Sequence, residues 1–157
     1  IMNRLLLPIA FLAVIFSSCQ KKHACDDVVC LNNGICESGD CLCEAGYEGP
    51  NCETEQRLVF VNAYSVTESC NLGNFTYEVS VNADSESANE ITITNFGDFG
   101  YSVTALVDGL NFEILSQIHS GDTIVGNGFM TDSVISIEYS LISTQADSLM
   151  CTMVCTP

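Results

Sequence analysis

Six cysteines within 28 residues, Cys25, Cys30, Cys36, Cys41, Cys43 and Cys52, constrain what this chain can fold into more than any other feature. So short a segment buries too little apolar surface to hold itself together, since only Val28, Val29, Leu31, Ile35, Leu42 and Tyr47 are candidates for its interior. Covalent cross-links have to do the holding. Zinc ligation is the competing use of dense cysteine, and the residues upstream weigh against it. Met2-Asn3-Arg4 leads into an apolar run from Leu5 to Phe16 that closes on Ser17-Ser18-Cys19. That is the layout of a signal peptide over residues 1–18, and about a dozen apolar residues are too few to span a bilayer. An exported chain meets an oxidising compartment, where thiols become disulfides. Spacing alone leaves fifteen pairings of the six cysteines open.

The end of the leader resembles the lipobox of bacterial lipoproteins, with Phe16 where that family more often has leucine. The resemblance implies that Cys19 is the diacylated first residue of the mature chain, that 19–24 is a short lipidated tether, and that the membrane is a partner through this N-terminal anchor. Gln20 after Cys19, in place of an aspartate, implies the outer membrane, on its periplasmic or surface face. The cysteine spacing C-x4-C-x5-C-x4-C-x-C-x8-C resembles an EGF-like domain over 25–53. So do Asn33-Gly34 and the closing run from Cys41 through Gly46-Tyr47 to Cys52. This resemblance implies bridges Cys25 to Cys36, Cys30 to Cys41 and Cys43 to Cys52. Calcium-binding members of that family carry acidic and amide ligands before the first cysteine, where this chain has Lys22-His23-Ala24, so no calcium is expected. The unit reads as a rigid spacer next to the membrane. The layout of leader, EGF-like unit and β domain resembles lipoproteins of the Bacteroidota, a likeness of arrangement and not of activity.

Charge narrows the partners. The chain carries 20 Asp and Glu against four Lys and Arg, and removal of the leader takes Arg4 with it. After Arg57 there are 12 acids and no further Lys or Arg. Nucleic-acid binding through phosphates is therefore excluded, while solubility and repulsion at a charged cell surface account for the acidity. A protein or glycan partner remains open.

Thr54 to Arg57 links the EGF-like unit to a second one, residues 58–157, rich in Val, Ile, Thr, Ser, Tyr and Phe. Alternation is its signature, as in Phe75, Tyr77, Val79 and Val81 against Thr76, Glu78, Ser80 and Asn82. Strands are expected at 58–66, 75–82, 90–96, 101–107, 110–115, 123–130, 133–142 and 149–155, with turn residues such as Asp108-Gly109 between them. Eight strands in a short-looped meander predict an all-β fold closed into a barrel of the lipocalin or avidin sort, with a two-sheet sandwich as the alternative. Closure removes two sheet edges that no lysine or proline defends.

In such a barrel the first and last strands are neighbours, so Cys70 is placed to bridge Cys151, with Cys155 as the alternative partner. Soft ligands at Met150, Cys151, Met153 and Cys155 suggest copper, but Met150 faces away from the other three and a core strand with one bridge explains the set. No metal or cofactor is expected. His23 and His119 are read as exposed and without a triad partner, and no Gly-x-Ser-x-Gly, phosphate loop or HExxH occurs, so the chain is expected not to be an enzyme. Phe75, Tyr77, Tyr101, Phe112 and Tyr139 are the candidates to line a ligand cavity in the barrel. Asp122-Thr123-Ile124, Asp132-Ser133-Val134 and Asp147-Ser148-Leu149 resemble O-glycosylation acceptors of the Bacteroidota, which implies modification at Thr123, Ser133 or Ser148. Together these readings describe a non-enzymatic lipoprotein of the cell envelope that binds or adheres to a partner. The alternative is a lipocalin-like carrier of a small apolar ligand.

Overall fold

Two small hairpins make up the cysteine-dense unit, β1 (Ile35–Glu37) with β2 (Asp40–Leu42) and β3 (Tyr47–Glu48) with β4 (Thr54–Glu55). The computed structural model, which describes residues 23–83, 86–143 and 148–157, joins Cys25 to Cys36, Cys30 to Cys41 and Cys43 to Cys52. The signal-peptide residues 1–18, Cys19 and the tether as far as Lys22 lie outside the described residues. The interior expected from Val29, Leu31, Ile35 and Leu42 does not form, because all four are exposed and Ile35 is 70% so. Hairpins this small have no second layer to cover them. Cys52 is fully buried instead, and the cystines form the centre of the unit. Gly34 shows how tightly they pack, since a Cβ there would lie 2.8 Å from the Cys52 sulfur.

The barrel begins later than the alternation suggests. Gln56–Phe60 forms a 3-10 turn, and the first barrel strand is β5 (Asn62–Cys70), not 58–66. Phe60 leaves the strand path to plug one end of the barrel, where its ring meets Phe112 edge-on at 5.4 Å and Tyr64 donates a hydrogen bond to its carbonyl. Arg57 is tied down beside it, with Nε on Glu55 at 2.8 Å and Nη1 donating to the carbonyls of Ser87 and Glu90. There follow β6 (Gly73–Asn82), β7 (Glu90–Thr94), β8 (Val103–Asp108), β9 (Asn111–His119), β10 (Asp122–Thr131), β11 (Val134–Ile142) and β12 (Leu149–Thr156). Each pairs antiparallel with its neighbour in sequence, and β12 pairs with β5 to close an eight-stranded barrel.

Inward residues alternate along every strand and fill the Phe60 end: Tyr64 and Val66, Val79 and Val81, Ile91 and Ile93, Ala105 and Val107, Phe112 and Ile114, Ile135 and Ile137 are all buried. Gly128 makes the fit possible, as a Cβ there would fall 2.2 Å from the Phe112 ring. At the same end the EGF-like unit meets the barrel. Gln56 donates its N–H to the Gly46 carbonyl, and Gly46, at φ +91°, packs so closely that a Cβ would lie 2.6 Å from the Ala88 backbone. The opposite end is where β5 turns into β6. It is built differently.

Candidate functional site

Strands β5 and β6 are longer than their neighbours, and the pairing of β6 with β7 is confined to Ser80, Val81 and Asn82. The hairpin around Asn71 and Leu72 therefore stands beyond the end of β7. Backbone groups of β6 left without a strand partner are partly met by a side chain, the Asn95 amide donating to the Glu78 carbonyl at 2.9 Å. The short turn Phe96–Asp98 folds across this gap. Gly97 sits there at φ +64°, and a Cβ on it would lie 2.3 Å from the Phe99 ring, so glycine both permits the turn and makes room for the aromatic lid above it.

Beneath lies a cavity of about 300 Å³ lined by Glu68, Cys70, Leu72, Phe75, Gly97, Asp98, Phe99, Tyr139 and Leu149. Leu72, Phe75 and Phe99 are 67%, 49% and 40% exposed, so its rim is apolar and open. Its floor is polar. Glu68 is 2% exposed, and the Tyr139 hydroxyl donates to its Oε1 at 2.6 Å. The Tyr77 hydroxyl, close to the same carboxylate, is buried without a hydrogen bond of its own. Burial and then the Glu68 carboxylate hold both Tyr77 and Tyr139 in the neutral phenol form, well above the usual tyrosine range. Phe96 supports the floor with its ring at 4.7 Å from that of Tyr139.

Of the five residues proposed to line the interior, Phe75 and Tyr139 reach this cavity. Tyr77 and Tyr101 pack against the core from partly buried positions, and Phe112 belongs to the solid end against Phe60. The cavity is thus a pocket at the barrel mouth and not a hollow interior, because side chains fill the rest. His119 is not the exposed bystander the sequence suggests. It is half-buried and stacked on Tyr101 at 4.4 Å, which in turn stacks on Phe99 at 5.4 Å, so the ring ladder steadies the rim. Burial first and the Asp122 charge second push the Tyr101 phenol up to about 12.

Cys70 is the last residue of β5, not a residue beyond it, and lies directly opposite Cys151, to which it is bonded. Glu68 and these two sulfurs lie within 4.8 Å of one another, but sulfurs committed to a disulfide offer no thiolate to a metal. Cys155 is free and 1% exposed, and burial followed by the Glu68 charge pushes its thiol up to about 12. Met150 faces solvent while Cys151, Met153 and Cys155 face inward, which separates the four soft ligands. Thr123 is half-buried in β10, whereas Ser133 and Ser148 are exposed.

Glu68, Leu72 and the Gly97 to Phe99 turn were not legible as site residues, although one signal for Glu68 was present. It stands at even offsets from Tyr64 and Val66 and so shares their inward face; ending the first strand at Val66 hid it.

Residues 25–55 match the family model of the Teneurin-like EGF domain. Comparison of the chain with curated proteins and with solved structures gives no significant match. The molecule is an all-β chain in which a teneurin-type EGF-like domain precedes a closed antiparallel barrel, an arrangement suited to an extracellular or secreted protein.

Proposed function

We propose that this chain is a non-enzymatic binding protein of the bacterial cell envelope, anchored through a lipidated Cys19 to the outer membrane. In this reading the EGF-like unit is a spacer and the barrel mouth holds a small apolar ligand. The observation that carries the reading is the open, apolar-rimmed cavity at the end of the barrel opposite the EGF-like unit. A tether at one end leaves the mouth at the other free to load. Titration with the neutral fluorophore N-phenyl-1-naphthylamine tests it. One saturable site per chain is expected, weakened at least about tenfold by Leu72→Asp with Phe99→Asp, since both remove apolar rim contacts. No saturable binding, or binding indifferent to the rim, overturns the reading.

One observation favours a protein or glycan partner as a second mode of binding. Ile35 and Leu42 pair across the first hairpin and both face solvent, forming an exposed apolar spot. Ser133, exposed in the turn between β10 and β11, and Ser148, exposed just before β12, are the more accessible sugar acceptors of the three. An intact-mass measurement on protein from its native host is expected to show added hexose lost on Ser133→Ala or Ser148→Ala.

A further inference from the structure

Glu68 is the only buried acidic side chain among the described residues, and no cationic side chain among them lies against it. Arg57, the one Lys or Arg in the described residues, is held at the far end of the barrel by Glu55 and by the carbonyls of Ser87 and Glu90. Glu68 has no ion-pair partner among the described residues, and its short hydrogen bond comes from Tyr139, with the Tyr77 hydroxyl close by. A carboxylate has four lone-pair sites, so most of its acceptor capacity is unspent. Holding such a group away from water is costly unless it is paired. Yet Glu68 is placed to line a cavity whose other walls are chiefly Leu72, Phe75, Phe99 and Leu149.

A pocket with one buried acid below and apolar rings above is complementary to a molecule with a cationic head and an apolar body. The aromatic walls also attract organic cations through their ring faces. About 300 Å³ holds roughly ten water-sized groups, which sets the size of the body. The exposed Asp98 at the rim and the formal net charge of −16 draw cations toward the mouth and repel anions. Building on the small-ligand reading above, we infer that the barrel mouth is a site for an organic ammonium of about ten heavy atoms, its head on Glu68 and its body against Leu72, Phe75 and Phe99.

Three probes of one shape and different charge test this by calorimetric titration into the whole chain: 1-naphthylmethylamine, 1-naphthylmethanol and 1-naphthoate. The amine is expected to bind about tenfold tighter than the alcohol or better, with the carboxylate weakest. Glu68→Gln, which keeps an acceptor for Tyr139, is expected to abolish that preference while leaving the alcohol's affinity unchanged. Glu138→Gln, an acid on the outer face, is expected to leave the preference intact. Equal binding of amine and alcohol to the unaltered chain overturns the inference but not the small-ligand reading, as does a preference that survives in folded Glu68→Gln. Failure of all three probes to bind removes both. The comparison on the unaltered chain decides the matter even where a variant fails to fold.

Discussion

Tyr139 shows how much can rest on a single hydroxyl. Its hydroxyl donates to the buried Glu68 carboxylate at 2.6 Å, so Tyr139→Phe weakens the acid's satisfaction as well as deleting a donor. A loss of about 1–3 kcal/mol is expected in chemical denaturation, with Glu68→Gln costing less because it preserves the pair without a buried charge. An undiminished Tyr139→Phe would mean that the carboxylate is satisfied elsewhere. Cys155 is the complementary case, a group whose surroundings suppress its chemistry. With its thiol raised to about 12 and its side chain buried, it should resist a thiol reagent at pH 8 in the native protein and react once the chain is unfolded in denaturant without reductant. Prompt labelling of native protein would show the strand to be accessible.

At the scale of elements, alternation revealed strands but not where strands stop being strands. Positions of β6, β8, β10 and β11 follow from period-two patterning and turn residues, and in β6, β8 and β11 the buried residues are apolar ones at alternate positions. The chain from Leu58 to Val61 carries β-forming residues too, yet Phe60 gains more by capping the open barrel end than by continuing a ladder, and the residues around it form a 3-10 turn. Tertiary packing overrode local propensity there. The mouth was illegible for a related reason: a cavity arises from strands of unequal length and from a turn folded over them, and neither is written in periodicity. The seam between the first and last strands was legible, because chain closure places Cys70 beside Cys151. This bridge spans 81 residues, so replacing both cysteines by serine should cost about 4 kcal/mol on the chain-entropy account, read as a lower melting temperature. A loss below about 1 kcal/mol would show the seam to be held by its ladder alone.

For the whole molecule, burial of ionisable groups that stay neutral sets the response to alkali. Cys155 is raised from 9.0 to about 12 and Tyr101 from 10.0 to about 12, and Tyr64, Tyr77 and Tyr139 are raised as well. Each binds its proton more tightly folded than unfolded. The stability this confers is fully present below pH 9 and is lost as pH rises from there toward 12, so urea midpoints should fall steadily over that range. A midpoint unchanged up to pH 11 would contradict the packing of these side chains. The division of labour between a cystine-held unit at one end and an open pocket at the other is the central claim, and nuclear magnetic resonance tests it most directly. Amide shifts during titration of 1-naphthylmethylamine into isotope-labelled chain should move around Glu68, Leu72, Gly97, Phe99 and Leu149 and stay still around Cys25 to Glu55. Shifts scattered over the outer strands, or centred on the EGF-like unit, would contradict it.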